Sequence, residues 1–66
     1  MKLTINGEAH LIDGARKVSE LLVVLNVDVA NLVVELNEEL VPPEKYAATI
    51  LCEGDRIELV RFVGGG

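Results

Sequence analysis

The dipeptide Asn6-Gly7, set between two short patterned runs, constrains this chain more than any other feature. Before it, Met1, Leu3 and Ile5 alternate with Lys2, Thr4 and Asn6, the period-2 mark of a strand with one buried face. Asn and Gly both tolerate the positive φ of a type I′ turn, so the chain reverses there and pairs with itself. The returning strand runs from Glu8 to about Ile12. Leu11 and Ile12 are adjacent and claim opposite faces, so its parity stays open. A chain that begins with a hairpin has an apolar sheet face to cover, and the rest of the sequence must supply the cover.

Asp13-Gly14 ends the second strand. Val18, Leu21, Leu22 and Leu25 then fall at i, i+3, i+4 and i+7, a single apolar helical stripe. Glu20 suits the positive end of that helix, whereas Lys17 stands where Ser, Thr or Asp would cap it. Asn26 stops the helix, and Val27 to Asn31 form a connector in which Asp28 and Asn31 are ordinary turn residues. Strand grammar returns from Leu32 to Asn37, with Val34 and Leu36 inward and Val33, Glu35 and Asn37 outward. A tight turn around Asn37-Glu38 leads to Glu39-Leu40-Val41, which Pro42-Pro43 closes because proline cannot donate to a ladder. Pro43 opens a single helical turn through Ala47, with Tyr46 over the core edge. After a turn at Gly54-Asp55, Arg56 to Val63 makes the last strand, with Ile57 and Leu59 inward. The sum is an α+β roll, a mixed sheet of four to five strands packed on one helix.

Sixty-six residues make one domain, expected over residues 1–63, that buries about 60 % of the surface its unfolded chain exposes. Half of the residues are apolar and the aromatics are Tyr46 and Phe62, so Val, Leu and Ile must build the core. An enclosed active site has little room in such a body. By alternation Val60 and Phe62 lie on the sheet face opposite Ile57 and Leu59, where they mark an open docking surface. Beyond them Gly64-Gly65-Gly66 reads as a flexible tail of residues 64–66. Lacking Cβ atoms it can follow a channel too tight for side chains, and it reaches about 10 Å past the last anchored residue.

Eleven acidic residues against six basic ones give a net charge of −5, which excludes nucleic acid as an expected partner and favours a basic protein surface. Cys52 is the single cysteine and His10 the single histidine. No disulfide can close within the chain, which suits a reducing cytoplasm. No metal site is expected from one His and one Cys so far apart. His10 has no nucleophile beside it in sequence, and Cys52 reads as a small buried hydrophobe, so no catalytic residue is expected and the chain is not read as an enzyme. The first residues hold no apolar run of signal length, and Leu21 to Leu25 is too short to span a bilayer.

The order and spacing of these features resemble the ThiS sulfur carriers of thiamin biosynthesis, small ubiquitin-like proteins of the β-grasp fold. The signposts are the Asn6-Gly7 hairpin, Val18-Ser19-Glu20-Leu21-Leu22 at the helix start, and Leu36-Asn37-Glu38-Glu39-Leu40-Val41-Pro42. To these add Gly54-Asp55-Arg56-Ile57-Glu58 and the closing glycines. Two positions depart from the family pattern: Lys17 where a threonine often caps the helix, and Pro43 where a basic residue is frequent.

The resemblance implies that the carboxylate of Gly66 is adenylated with ATP and Mg²⁺ by an enzyme of the ubiquitin-activating type (ThiF-like), and that sulfur then replaces the adenylate to give a thiocarboxylate. It implies two further partners: a thiazole synthase (ThiG-like) that takes the sulfur for the thiazole ring, and a donor such as a cysteine desulfurase system. The ATP and Mg²⁺ would belong to the activating partner, because this chain has no Gly-rich phosphate loop with a lysine. Two alternatives stay open on the residues. One is a sister carrier serving molybdopterin synthesis or tRNA thiolation; the other is a ubiquitin-like interaction module whose end is never activated.

Overall fold

The structure, a computed structural model, describes residues 1–62. The expected end of the last strand at Val63 and the expected tail Gly64, Gly65 and Gly66 lie outside the described residues.

Two hairpins flank the sheet. β1 (Lys2–Ile5) and β2 (Glu8–Leu11) pair antiparallel, from Lys2 opposite Leu11 to Ile5 opposite Glu8. Between them Asn6 and Gly7 hold φ of 49° and 83°, as a type I′ turn requires. β3 (Leu32–Leu36) and β4 (Glu39–Val41) pair from Val34 opposite Val41 to Leu36 opposite Glu39. Their turn places Asn37 and Glu38 at φ of 51° and 71°. For Glu38 that conformation costs about 1–2 kcal/mol, since its Cβ crowds the following carbonyl.

Neither hairpin would be stable alone in water. β5 (Arg56–Arg61) joins them, parallel to β1 with Ile57 beside Ile5, and antiparallel to β3 from Leu32 opposite Arg61 to Leu36 opposite Ile57. The sheet order is therefore β2-β1-β5-β3-β4, mixed as expected and five strands wide among the described residues. One face of it shares a core with α1 (Val18–Val24): Leu3, Ile5, Val34 and Ile57 from the strands meet Val18, Leu21 and Leu22 from the helix, and all are buried. Leu25, the fourth residue of the stripe, is half-buried at the end of α1. Asn26 stops the helix as expected, at φ 56°.

The start of α1 compensates for its missing cap from one side. Lys17 is extended, and its ammonium can only donate, so it offers nothing to the free N–H groups of the first turn. The Glu20 carboxylate instead reaches back to accept the N–H groups of Arg16 at 2.8 Å and Lys17 at 3.1 Å. The bond from Arg16 is the main cause that holds the Glu20 carboxyl below its ordinary pKa; desolvation opposes it, and the bond from Lys17 and the charges of Lys17 and Arg16 add to the lowering.

The parity left open after β2 resolves by a change of element. β2 stops at Leu11, whose outward place opposite Lys2 leaves it 84 % exposed, and the chain then turns so that Ile12 enters the core. The Ile12 N–H donates to the carbonyl of Met1 at 2.8 Å and holds that turn. Tyr46 is buried at the core edge, following the single 3-10 turn Pro43–Lys45. Cys52 corrects the sequence reading, because it is exposed. Leu51 fills the core instead, with its N–H on the carbonyl of Arg16. The Asp55 carboxylate takes the next N–H, that of Cys52, at 2.7 Å, and the thiol side of the chain faces out. No helix among the described residues is long and apolar enough to cross a membrane.

Candidate functional site

Val60 and Phe62 depend on β5, and side chains from the neighbouring turns fix that strand. The Asn6 Oδ1 accepts the Leu59 N–H at 2.7 Å while the Asn6 N–H donates to the carbonyl of Ile57 at 2.9 Å. One left-handed residue thus extends the hold of β1 on β5 past the point where β1 turns away. Asn37 repeats the device at the other end. Its Oδ1 accepts the Arg56 N–H at 2.9 Å, its Nδ2 donates to Asp55 Oδ1 at 3.0 Å, and its N–H donates to the carbonyl of Arg56 at 2.7 Å. Past the ladder, the Phe62 N–H donates to the carbonyl of Asn31 at 2.9 Å. Arg61 lies 3.1 Å from Asp28, an exposed pair that contributes little energy but lies at the same end of the strand.

Alternation on a strand so held turns Ile57 and Leu59 to the core and Arg56, Glu58, Val60 and Phe62 to the other face. Residues directly opposed on paired strands share a face, so the register names the rest of this surface. Val33 is opposite Val60, Glu35 opposite Glu58, and Leu40 opposite Glu35. Val60 is 46 % exposed, Phe62 60 % and Leu40 65 %. The result is an open face with one row of Leu40, Glu35 and Glu58, a second row of Val33 and Val60, and Phe62 beyond it. Apolar side chains around two carboxylates suit contact with another protein better than chemistry on a small substrate.

The sequence reading named Val60 and Phe62 for this face and missed Leu40. The segment itself misleads, since alternation from Glu39 would turn Leu40 inward, and only the register with β3 turns Val41 to the core and Leu40 out. The anchoring roles of Asn6 and Asn37 were not legible, because both bonds cross to a strand far away in sequence. His10 lies on β2 opposite Leu3, and Cys52 lies in the loop before β5. Neither makes a side-chain hydrogen bond among the described residues, and no group of three metal-ligating side chains comes together there. The third feature singled out, Gly64 to Gly66, lies beyond the described end of β5.

Comparison with known proteins bears on the whole length. The chain is 44 % identical over its full length to part of the thiazole synthase of Paramagnetospirillum magneticum, and it spans only 20 % of that protein. It is 32 % identical to the sulfur carrier protein ThiS of Escherichia coli, and there the alignment covers all of both chains. The crystal structure of the thiamine biosynthesis protein ThiS from Geobacter metallireducens superposes with a TM-score of 0.86 at 42 % identity, again over the whole of both chains. That likeness confirms the β-grasp architecture. With the family pattern itself matching residues 3–66, the chain belongs to the ThiS family.

Proposed function

We propose that this protein is a sulfur carrier for thiazole formation in thiamin biosynthesis, and a carrier rather than a catalyst. A carboxylate resists nucleophiles because it is anionic and resonance-stabilised. In this reading the carboxylate of Gly66 attacks the α-phosphorus of ATP in a ubiquitin-activating-type partner, and pyrophosphate leaves. The acyl adenylate then loses AMP to hydrosulfide, which two thiols release from the persulfide of a donor such as a cysteine desulfurase system as they pair in a disulfide, and a thiocarboxylate results. A thiazole synthase takes the sulfur, and the carrier returns as a carboxylate. The chain's own contributions are two. Gly64 and Gly65 lack side chains that a narrow cleft would reject. The face bearing Val60 and Phe62 supplies the affinity that holds the reacting end in place.

The observation that carries this reading is the match to the Escherichia coli sulfur carrier over the full length of both chains. Support for the synthase as partner comes from the relatives named thiazole synthase, in which a segment like this chain makes up a fifth of the protein. The chemistry fits a reducing cytoplasm.

The test is carrier-dependent ATP–pyrophosphate exchange by the activating enzyme. Deleting Gly66, or adding one residue after it, should abolish exchange while leaving the circular dichroism spectrum and Tm unchanged. Exchange that persists unchanged in both variants would overturn the reading. Intact mass of the natural protein, which also shows where the chain ends, should reveal a fraction with one oxygen replaced by sulfur.

A further inference from the structure

The centre of the open face is arranged against its own stability. Glu35 and Glu58 are directly opposed on β3 and β5, a placement that brings their Cβ atoms to about 4.5–5.5 Å and sets like charges against each other. Neither makes an ion pair or a side-chain hydrogen bond among the described residues. The basic side chains nearby on β5 lie against other carboxylates. Arg56 shares the open face, but its guanidinium lies 3.4 Å from Glu38 in the β3–β4 turn. Arg61 has the opposite parity and lies against Asp28. Apolar groups border the two carboxylates: Leu40 opposite Glu35, the Val33–Val60 pair in the next row, and Phe62 beyond.

We propose that the Glu35–Glu58 pair is the specificity determinant of this face, and that it receives one arginine set in an apolar patch of the adenylating partner. This rests on the carrier reading and deepens it. A planar guanidinium can donate to both carboxylates at once, and its weak hydration suits a site with an apolar border better than an ammonium does. The net charge of −5 works in the same direction, since it speeds encounter with a basic surface. A second copy of the chain is not the occupant: a two-fold contact through this face would lay the same carboxylate pair against itself.

The test titrates the full chain into the purified adenylating enzyme of the same organism, at low and high salt, with Phe62→Ala as a reference. The double variant Glu35→Gln/Glu58→Gln should bind at least tenfold more weakly at low salt and lose most of the salt dependence. Its own Tm should rise by about 2 to 4 °C, because the like-charge contact is gone. Weaker binding with higher stability is the signature that a purely structural role would not produce. If the double variant binds within twofold of the native protein while Phe62→Ala binds weakly, the pair is incidental and the carrier reading stands. A fall in both binding and Tm makes the pair structural and overturns the proposal. No binding by the native protein overturns this proposal and the choice of partner together. A dimer in sedimentation that the double variant dissolves would give the face to a second copy, against the proposal.

Discussion

Asn6 offers a clean separation of two contributions in one residue. Its side chain accepts the Leu59 N–H at 2.7 Å, and its backbone sits at φ 49°, so a substitution can remove the bond, the tolerance of that conformation, or both. Asn6→Gly removes the bond, at about 1 kcal/mol, and adds unfolded-state freedom, at roughly 0.5 kcal/mol. The sum is about 1.5 kcal/mol. Asn6→Ala loses the same bond and places a Cβ in the left-handed region without the local polar contact that reconciles Asn to it, at about 1 kcal/mol more. Its cost is therefore about 2 kcal/mol or slightly above. A domain of this size has on the order of 3 to 10 kcal/mol in all, so both losses are large. They should lower Tm by roughly 6 to 12 °C for Asn6→Gly and by several degrees more for Asn6→Ala. Urea unfolding followed by circular dichroism, with m-values compared to confirm an unchanged transition, measures the order. Asn6→Ala equal to or more stable than Asn6→Gly, or both within about 0.5 kcal/mol of the native protein, would refute the account of how β5 is held.

Lys17→Ser places a hydroxyl acceptor at the start of α1, where the backbone is already extended, and should stabilise the fold by about 1 kcal/mol in the same urea assay. A loss of stability would show that Lys17 is held for another reason. Glu20 gives a pH prediction. Its folded pKa lies below its ordinary value, so its contribution is fully present above that ordinary value and disappears as pH falls through the lowered one. The Glu20→Gln variant should therefore be less stable than the native protein at neutral pH, and the two Tm curves should converge in acid. Parallel curves across the whole range would remove the capping role.

Local chemistry made much of this fold readable. Asn-Gly needs no distant neighbour to turn a chain, and the stripe of Val18, Leu21 and Leu22 or the alternation of Ile57 and Leu59 is complete within its own segment. Order across the sheet is different. Nothing near Arg56 in sequence says that its strand lies between β1 and β3, and only the paired ladders of the fold show it. Leu11 and Ile12 were ambiguous because the end of a strand depends on what the next residues must cover. Cys52 was misread because composition speaks for the burial of cysteine, while the outcome turned on the competition of Leu51 for the same core and on a hydrogen bond to Asp55. The open face was half legible: parity exposed Val60 and Phe62, but the facing of Glu35 with Glu58 is a matter of register between strands more than twenty positions apart.

β5 is the last strand in sequence among the described residues and the middle one in space. Among those residues no ladder links the two hairpins directly; each is zipped to β5. A protease nick in the 52–55 loop would cut the covalent tie to the strand that both ribbons need, and loss of the freed strand should unfold the molecule as a whole. During synthesis the same arrangement acts as a gate, because the sheet cannot close until β5 has emerged, and enzymes that grip the folded body meet only closed sheets.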